Sequence, residues 1–255
     1  MPPPDISLIL PAYDEAQRIL GTIKESAEYF SNRSSTYEII VAADGTDGTR
    51  ELVEALAASD SRIRVIGSAE RRGKGRGIRE AVALAEGSVI GFADADNKVP
   101  IAEYDRIEPH LRAGVPIVIG SRAMEGSRIE RMQPLHRQLG SKGFYIFLKL
   151  VIGLHGIHDT QCGFKFFRND VAKRIFRHQK VDGYMFDVEI LTLAWRSGYY
   201  IEQVPIRWRD DGDSRLQLLR GNIRNVIDVF RIRFSSSGLL EPGPAVESAM
   251  AGKSR

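Results

Sequence analysis

Two carboxylates two residues apart close an apolar run. In "SVIGFADADNKVP", Ser88 to Pro100, the stretch "SVIGFA" has the character of a buried strand and ends on Asp94 and Asp96. Like charges at that spacing repel, so the pair calls for a counter-charge. A divalent hard cation such as Mg2+ or Mn2+ meets the need, because it takes oxygen ligands, often one or two carboxylates completed by substrate phosphates. The plainer chemistry is a solvated turn in which Asp96 or Asn97 caps a following helix. A second cluster, "ERRGKGRG" from Glu70 to Gly77, sets Arg71, Arg72, Lys74 and Arg76 among glycines at a predicted helix start. Glycine lets a backbone come close to a ligand and a helix N-terminus attracts anions, so the segment reads as an anion cradle or as an exposed basic loop. It is not a Walker loop, and Ile78 stands where G-x-G-x-x-G needs its third glycine.

The elements that must position these groups alternate. "ISLILP", "YEIIVAA", "RIRVI", "SVIGFA" and "PIVIG" read as strands. Between them "EAQRILGTIKESAEYF", "GTRELVEALAAS", "GKGRGIREAVALAEG" and "IAEYDRIEPHLRAG" carry helical periodicity. Near-continuous apolar strands separated by helices predict an α/β fold, with a mostly parallel central sheet flanked by helices. Ligands of such sheets gather beyond the carboxyl ends of the strands. The first-half motifs fall there: Asp14-Glu15, Asp44, and Asp94 with Asp96. In the second half, "HRQLGSKGFYIFLKLVIGL" and "FDVEILTLAWRSG" predict helices, "GFKFFRND" a strand entering a helix, and "YYIEQVPIRW" a strand. A last helix is expected over about 216–234.

The 255 residues suit one domain over 1–235, with a nucleotide-binding half (about 1–122) and an acceptor half (123–235). The Gly-, Pro- and Ala-rich stretch 236–255 has the composition of a disordered tail. One cysteine, Cys162, excludes an internal disulfide and points to a reducing compartment. "MPPPDISLIL" lacks the build of a secretory signal. The most apolar run, Gly143 to Leu154, is too short to span a bilayer, which needs roughly 20 apolar residues. A net charge of +3 without any recognition motif gives no ground for nucleic-acid binding.

In order along the chain, "LILPAYDEAQRI", "ADGTDGT", "RRGKG", "FADAD", "GSR", "DTQCGFKFF" and "FDVEIL" resemble glycosyltransferase family two, over roughly residues 5 to 235. They are most similar to the polyprenyl- or dolichyl-phosphate sugar synthases, and "DTQCGFK" to the dolichyl-phosphate glucosyltransferase branch. The resemblance implies a GT-A fold, a nucleotide-sugar donor (UDP-glucose or GDP-mannose), and inverting transfer. It implies that Pro11, Tyr13, Glu15 and Asp44 hold the nucleobase and ribose. Lys74 would lie near the base or diphosphate, Asp94 and Asp96 would bind Mg2+ or Mn2+, and Gln161 and Asp187 would surround the sugar and acceptor. Two departures stand out. Ala43 replaces an acid in the second motif, and Lys98 occupies the place where some mannosyl relatives carry a third metal ligand.

A lipid-phosphate acceptor is mostly dianionic at pH 7, its second pKa being about 6, and scarcely needs a general base. Asp187 and Glu189 are then positioning groups, or simply acids favoured at a helix start. Cations for the phosphate are supplied by "RWRDDGDSRLQLLRG": Arg209, Ser214 and above all Arg215, which can grip phosphate bidentately, with Arg122 of "GSR" a weaker candidate. From Leu216 the apolar positions 216, 219, 223, 226, 227, 230 and 234 form a helical stripe with arginines off it. Such a helix lies in a membrane interface or packs on a core. The resulting expectation is a peripheral enzyme on the cytoplasmic face of a membrane, moving a hexose, glucose in preference, to polyprenyl phosphate. Its rivals are a mannosyl donor, a sugar-hydroxyl acceptor, or a non-catalytic binding protein.

Overall fold

The computed structural model describes residues 2–130, 135–154, 156–209 and 222–235. The strands are β1 (Ile6–Tyr13), β2 (Tyr37–Asp44), β3 (Ile63–Ile66), β4 (Val89–Ala93), β5 (Ile117–Ser121), β6 (Arg128–Ile129), β7 (Phe164–Arg168), β8 (Ile201–Pro205) and β9 (Arg207–Trp208). The helices are α1 (Ile19–Asn32), α2 (Thr49–Ala57), α3 (Lys74–Leu84), α4 (Tyr104–Arg112), α5 (Leu135–Ile152), α6 (Asn169–His178), α7 (Phe186–Arg196) and α8 (Asn222–Phe234). Seven strands form one sheet in the order β3-β2-β1-β4-β7-β5-β8, while β6 and β9 pair separately. All sheet pairings are parallel except those of β7, which runs antiparallel between β4 and β5.

The sheet is buried on both faces, which is why its strands are apolar at nearly every position. On one face Ile9, Ile40, Phe92 and Phe167 pack against Ile78 and Val82 of α3, Ile175 of α6, and Phe186 and Ile190 of α7. On the other, Leu8, Leu10, Val41, Phe164 and Phe166 pack against Ile23 and Phe30 of α1 and Ile107 of α4. Pro11 sits in a central strand without harm. The β1–β4 ladder ends at Ile9 opposite Phe92, so beyond it β1 has only β2 to serve.

Helix α1 begins at Ile19, four residues later than the apolar period suggests. The Glu15 and Ala16 N–H groups donate instead to Thr49 Oγ1 (3.0 Å) and Asp47 Oδ2 (2.9 Å), so the backbone there is held by the loop after β2. The stripe expected on the last helix is also not core. Val229 and Ile232 are the buried apolar positions of α8, beside buried Asp228, whereas Ile223, Val226, Ile227, Phe230 and Phe234 are exposed. Positions 216 and 219, with the tail 236–255, lie outside the described residues.

Candidate active site

The direction of β7 brings a second set of groups to the edge that already carries the first motifs. The carboxyl ends of β1, β2, β4 and β5 and the amino end of β7 share that edge, so 13–16, 44–48, 94–98, 122 and 159–163 converge. Asp94 follows β4 directly, and its N–H donates to the Gly163 carbonyl at 3.1 Å. A left-handed Asn97 (φ 54°) then turns the chain, a conformation asparagine tolerates, and its amide donates to Glu25 at 2.6 Å.

The repulsion within the acidic pair is answered by two lysines. Lys74 Nζ stands 2.6 Å from Asp94 Oδ1, and Lys98 Nζ 3.5 Å from Asp96 Oδ2. Burial and the neighbouring Asp94 charge still raise the Asp96 pKa. Burial alone would lower the Lys74 pKa, but Asp94 and Asp187 outweigh it and hold the ammonium charged.

The glycine-rich segment works differently from the anion cradle its composition suggests. The Gly75 and Arg76 N–H groups at the start of α3 both donate to the Asp182 carbonyl, at 2.9 and 3.2 Å. Gly73 (φ 112°) is needed because a Cβ there would lie 2.3 Å from that same oxygen. The glycines admit the protein's own loop after α6, and only the Lys74 side chain is presented to the acidic pair. Glu189 holds that loop: its carboxylate accepts the Lys180 N–H and the Val181 N–H, the latter at 2.8 Å.

The segment 159–163 is pinned along its length. Asp159 accepts from Arg122 Nε (2.7 Å) and Nη2 (2.9 Å). Burial opposes both charges, yet the guanidinium holds Asp159 down at about 2 and is itself kept charged. Arg122 thus reaches the expected edge, but its guanidinium is given to Asp159. Gln161 donates its N–H to Asp159, and its side-chain Nε2 is buried without a hydrogen-bond acceptor among the described residues. Cys162 is buried, and burial pushes its thiol up to about 12.

Asp187 is buried and receives Lys165 Nζ at 2.5 Å. Burial raises its pKa against the pull of Lys165 and Lys74. Lys165 has no exposed surface and was absent from the expected set. A lysine inside the apolar run "GFKFF" was its one sequence signal.

The nucleotide candidates lie across the same edge. Tyr13 is half-exposed with the Arg71 guanidinium 4.3 Å from its ring centre, and Arg71 also donates to the Tyr184 hydroxyl at 3.2 Å. Glu15 lines a 480 Å3 cleft with Asp14, Arg18 and Asp47. Asp44 accepts the Arg72 N–H at 2.7 Å and the Ser68 N–H at 3.2 Å, closing the loop after β3 and leaving lone pairs over. Arg209 is tied to the acidic loop through its N–H, which donates to the Lys98 carbonyl at 2.8 Å. Ser214 and Arg215 lie outside the described residues.

A mostly parallel sheet with an Asp-x-Asp pair and cations at its carboxyl edge defines a GT-A fold. Glucosyl-3-phosphoglycerate synthase from Mycobacterium tuberculosis, solved with UDP, shares it with a TM-score of 0.65 at 21% identity, over 94% of this chain and 82% of that one. Mannosyl-3-phosphoglycerate synthase from Rubrobacter xylanophilus superposes with a TM-score of 0.67 at 18% identity, over 93% and 76%. The sequence matches Glycosyl transferase family 2 over residues 7–176, and the chain belongs to that family. It is 34% identical to dolichyl-phosphate beta-glucosyltransferase ALG5C of Trichomonas vaginalis over 89% of this chain and 70% of the relative. It is 31% identical to the human dolichyl-phosphate beta-glucosyltransferase over 84% and 70%.

Proposed function

We propose that this glycosyltransferase moves glucose from UDP-glucose to a polyprenyl phosphate such as dolichyl phosphate, with inversion. The observation that carries the reading is the Asp94–Asp96 pair at the end of β4, with Lys74 on Asp94 and the 159–163 segment against it. The names of the relatives supply the substrate class. The whole of 1–235 acts as one unit, since strands from both halves enter one sheet.

In this reading a lipid-phosphate oxygen attacks the anomeric carbon as the bond to the diphosphate breaks, and nucleoside diphosphate leaves. Lys74 carries positive charge to the leaving diphosphate, a preorganised electrostatic aid. Asp187 is ion-paired with Lys165 and orients the site; a dianionic phosphate attacks without a base. The Gln161 amide nitrogen, enclosed and without an acceptor among the described residues, donates to the sugar or acceptor. Tyr13, Glu15 and Asp44 hold the nucleotide, with Pro11 on the β1 wall. Arg215, Ser214 and Arg209 take the acceptor phosphate.

A divalent cation suits the pair. Asp94 and Asp96 offer hard carboxylate oxygens, and Asp96 is part-buried beside a like charge that a cation would relieve. Among the described residues no cluster of three acidic, histidine or cysteine ligands exists. Asp94 and Asp96 would hold the ion together with the donor diphosphate. When bound, Mg2+ or Mn2+ supplies charge stabilisation of the leaving group; glucosyl-3-phosphoglycerate synthase was solved with Mn2+ and UDP.

The acceptor requires a membrane surface, and two helices offer one. Phe147 of α5 meets Phe230 of α8, with ring centres 6.3 Å apart. Around that contact Ile146 and Leu150 of α5 and Ile223, Ile227 and Phe234 of α8 are exposed. Among the described residues no helix is long and apolar enough to cross a bilayer. The pair would lie in the interface, with Lys149, Arg224 and Arg231 toward anionic headgroups. Calorimetry with UDP-glucose and Mn2+ tests the site: Asp96→Ala should abolish the metal-dependent part of donor binding, and unchanged affinity would defeat the assignment.

A further inference from the structure

Lys165 is the most deeply enclosed charge among the described residues. It lies in the middle of β7, in register with Phe92 on one side and Ile119 on the other, and shows no surface to solvent. An ammonium survives such a place only where its partners outweigh the loss of water. It has three. Asp187 Oδ1 lies 2.5 Å from Nζ, the Cys162 carbonyl accepts a second N–H, and the Phe92 ring centre is 5.4 Å away.

The Cys162 carbonyl gives this lysine a reach beyond its ion pair. A charge-assisted hydrogen bond to it fixes the orientation of the Cys162–Gly163 peptide. One residue on, the Gly163 carbonyl accepts the Asp94 N–H. The Gly163 α-carbon also lies against the Asp94 carboxylate: a Cβ there would stand 2.1 Å from Oδ2 and 2.3 Å from Cγ. Asp94 is thus bounded by Lys74 on its Oδ1 and by Gly163 on its backbone and its carboxylate.

We propose that Lys165 is a positioning residue for the donor site. It sets the Cys162–Gly163 peptide against which the Asp94 carboxylate is placed, and Asp187 serves as its counter-ion. The inference rests on the reading of Asp94 and Asp96 as the pair that takes the cation and diphosphate. The competing role is local: Lys165 would do no more than neutralise Asp187.

The test is the affinity for UDP at saturating Mn2+, measured by calorimetry beside the melting temperature. UDP carries no sugar, so contacts of Asp187 with the sugar do not enter. Asp187→Asn keeps an oxygen for Lys165 and leaves the Cys162 carbonyl held, so UDP affinity should fall by less than in the variant that loses both groups. Lys165→Met with Asp187→Leu removes both buried charges, an exchange folds tolerate. It also frees the carbonyl, and UDP affinity should fall about 10- to 100-fold, the usual cost of losing a group that orients a metal ligand. If the double variant binds like wild type, or if Asp187→Asn loses as much as the double variant, the positioning role is wrong. Should the double variant fail to fold, Gly163→Ala disturbs the same peptide with the ion pair intact. Wild-type affinity in that variant overturns the inference equally. A wild-type protein that does not bind UDP with Mn2+ overturns the reading of the site, and the inference with it. That result is distinct from one in which only the variants behave unexpectedly.

Discussion

Gly163→Ala probes the junction of β4 and β7 with a single methyl. The added Cβ would meet Asp94 Oδ2 at 2.1 Å, Cγ at 2.3 Å and Oδ1 at 2.5 Å, so it strikes the whole carboxylate. Cβ contacts closer than about 3 Å are not sustained, and the carboxylate must retreat by roughly 1 Å, a displacement able to cost about 100-fold in function. Oδ1 is also the oxygen that holds Lys74 at 2.6 Å, so the retreat breaks that pair. Overpacking of this kind costs about 1–3 kcal/mol. For a chain of this size that lowers the melting temperature by about 2–10 °C. The assay pairs thermal unfolding with calorimetric titration of UDP in the presence of Mn2+. Affinity reduced about 10- to 100-fold in a folded protein is the expected result. A variant that melts and binds as wild type does would refute the claim that Gly163 shapes the place of Asp94.

Four further outcomes are expected. Arg122 depresses Asp159 to about 2, so the pair stabilises the fold fully above the unfolded carboxylate pKa of about 4 and is lost as pH falls from there toward 2; Asp159→Asn should flatten the melting temperature across that window. Glu189→Gln replaces one of the two oxygens that receive the Lys180 and Val181 N–H groups and should cost roughly 1–3 kcal/mol by urea denaturation. Ile227→Ser and Phe234→Ser each remove an exposed apolar side chain from α8 and should weaken co-sedimentation with anionic vesicles about tenfold, while melting stays unchanged. Arg215→Ala should reduce use of polyprenyl phosphate about 10- to 100-fold at unaltered donor affinity, and Arg215→Lys should restore part of it.

The strands could be read in the sequence because a doubly covered sheet demands apolar residues at almost every position, as in "YEIIVAA" of β2. The Asp-x-Asp pair stood out because like charges at that spacing repel, but a capping turn fitted it too, and the two lysines that face it come from elsewhere in the fold or from beyond the pair. Other features depend on contacts distant in sequence. That β7 inserts antiparallel between β4 and β5 follows from pairing, and no local pattern encodes direction. The glycines of "RRGKG" announce a close approach but not its partner, which proves to be the Asp182 carbonyl of a loop more than a hundred residues away. Lys165 carries no periodicity of its own, and its meaning appears only once Asp187 and Cys162 close around it. The α8 stripe had two physical readings, and the burial of Val229 and Ile232 shows that the core lies on the other side.

Product analysis reads the proposed transfer itself. Wild-type protein is incubated with polyprenyl phosphate, Mn2+ or Mg2+, and in separate tubes UDP-glucose or GDP-mannose, and the lipid fraction is weighed by mass spectrometry. A hexosyl polyprenyl phosphate should form from UDP-glucose, and it should be absent when the metal is chelated and absent with Asp96→Ala. Hexose transfer to a sugar hydroxyl in place of the lipid phosphate would contradict it, as would a glycolipid formed from GDP-mannose alone.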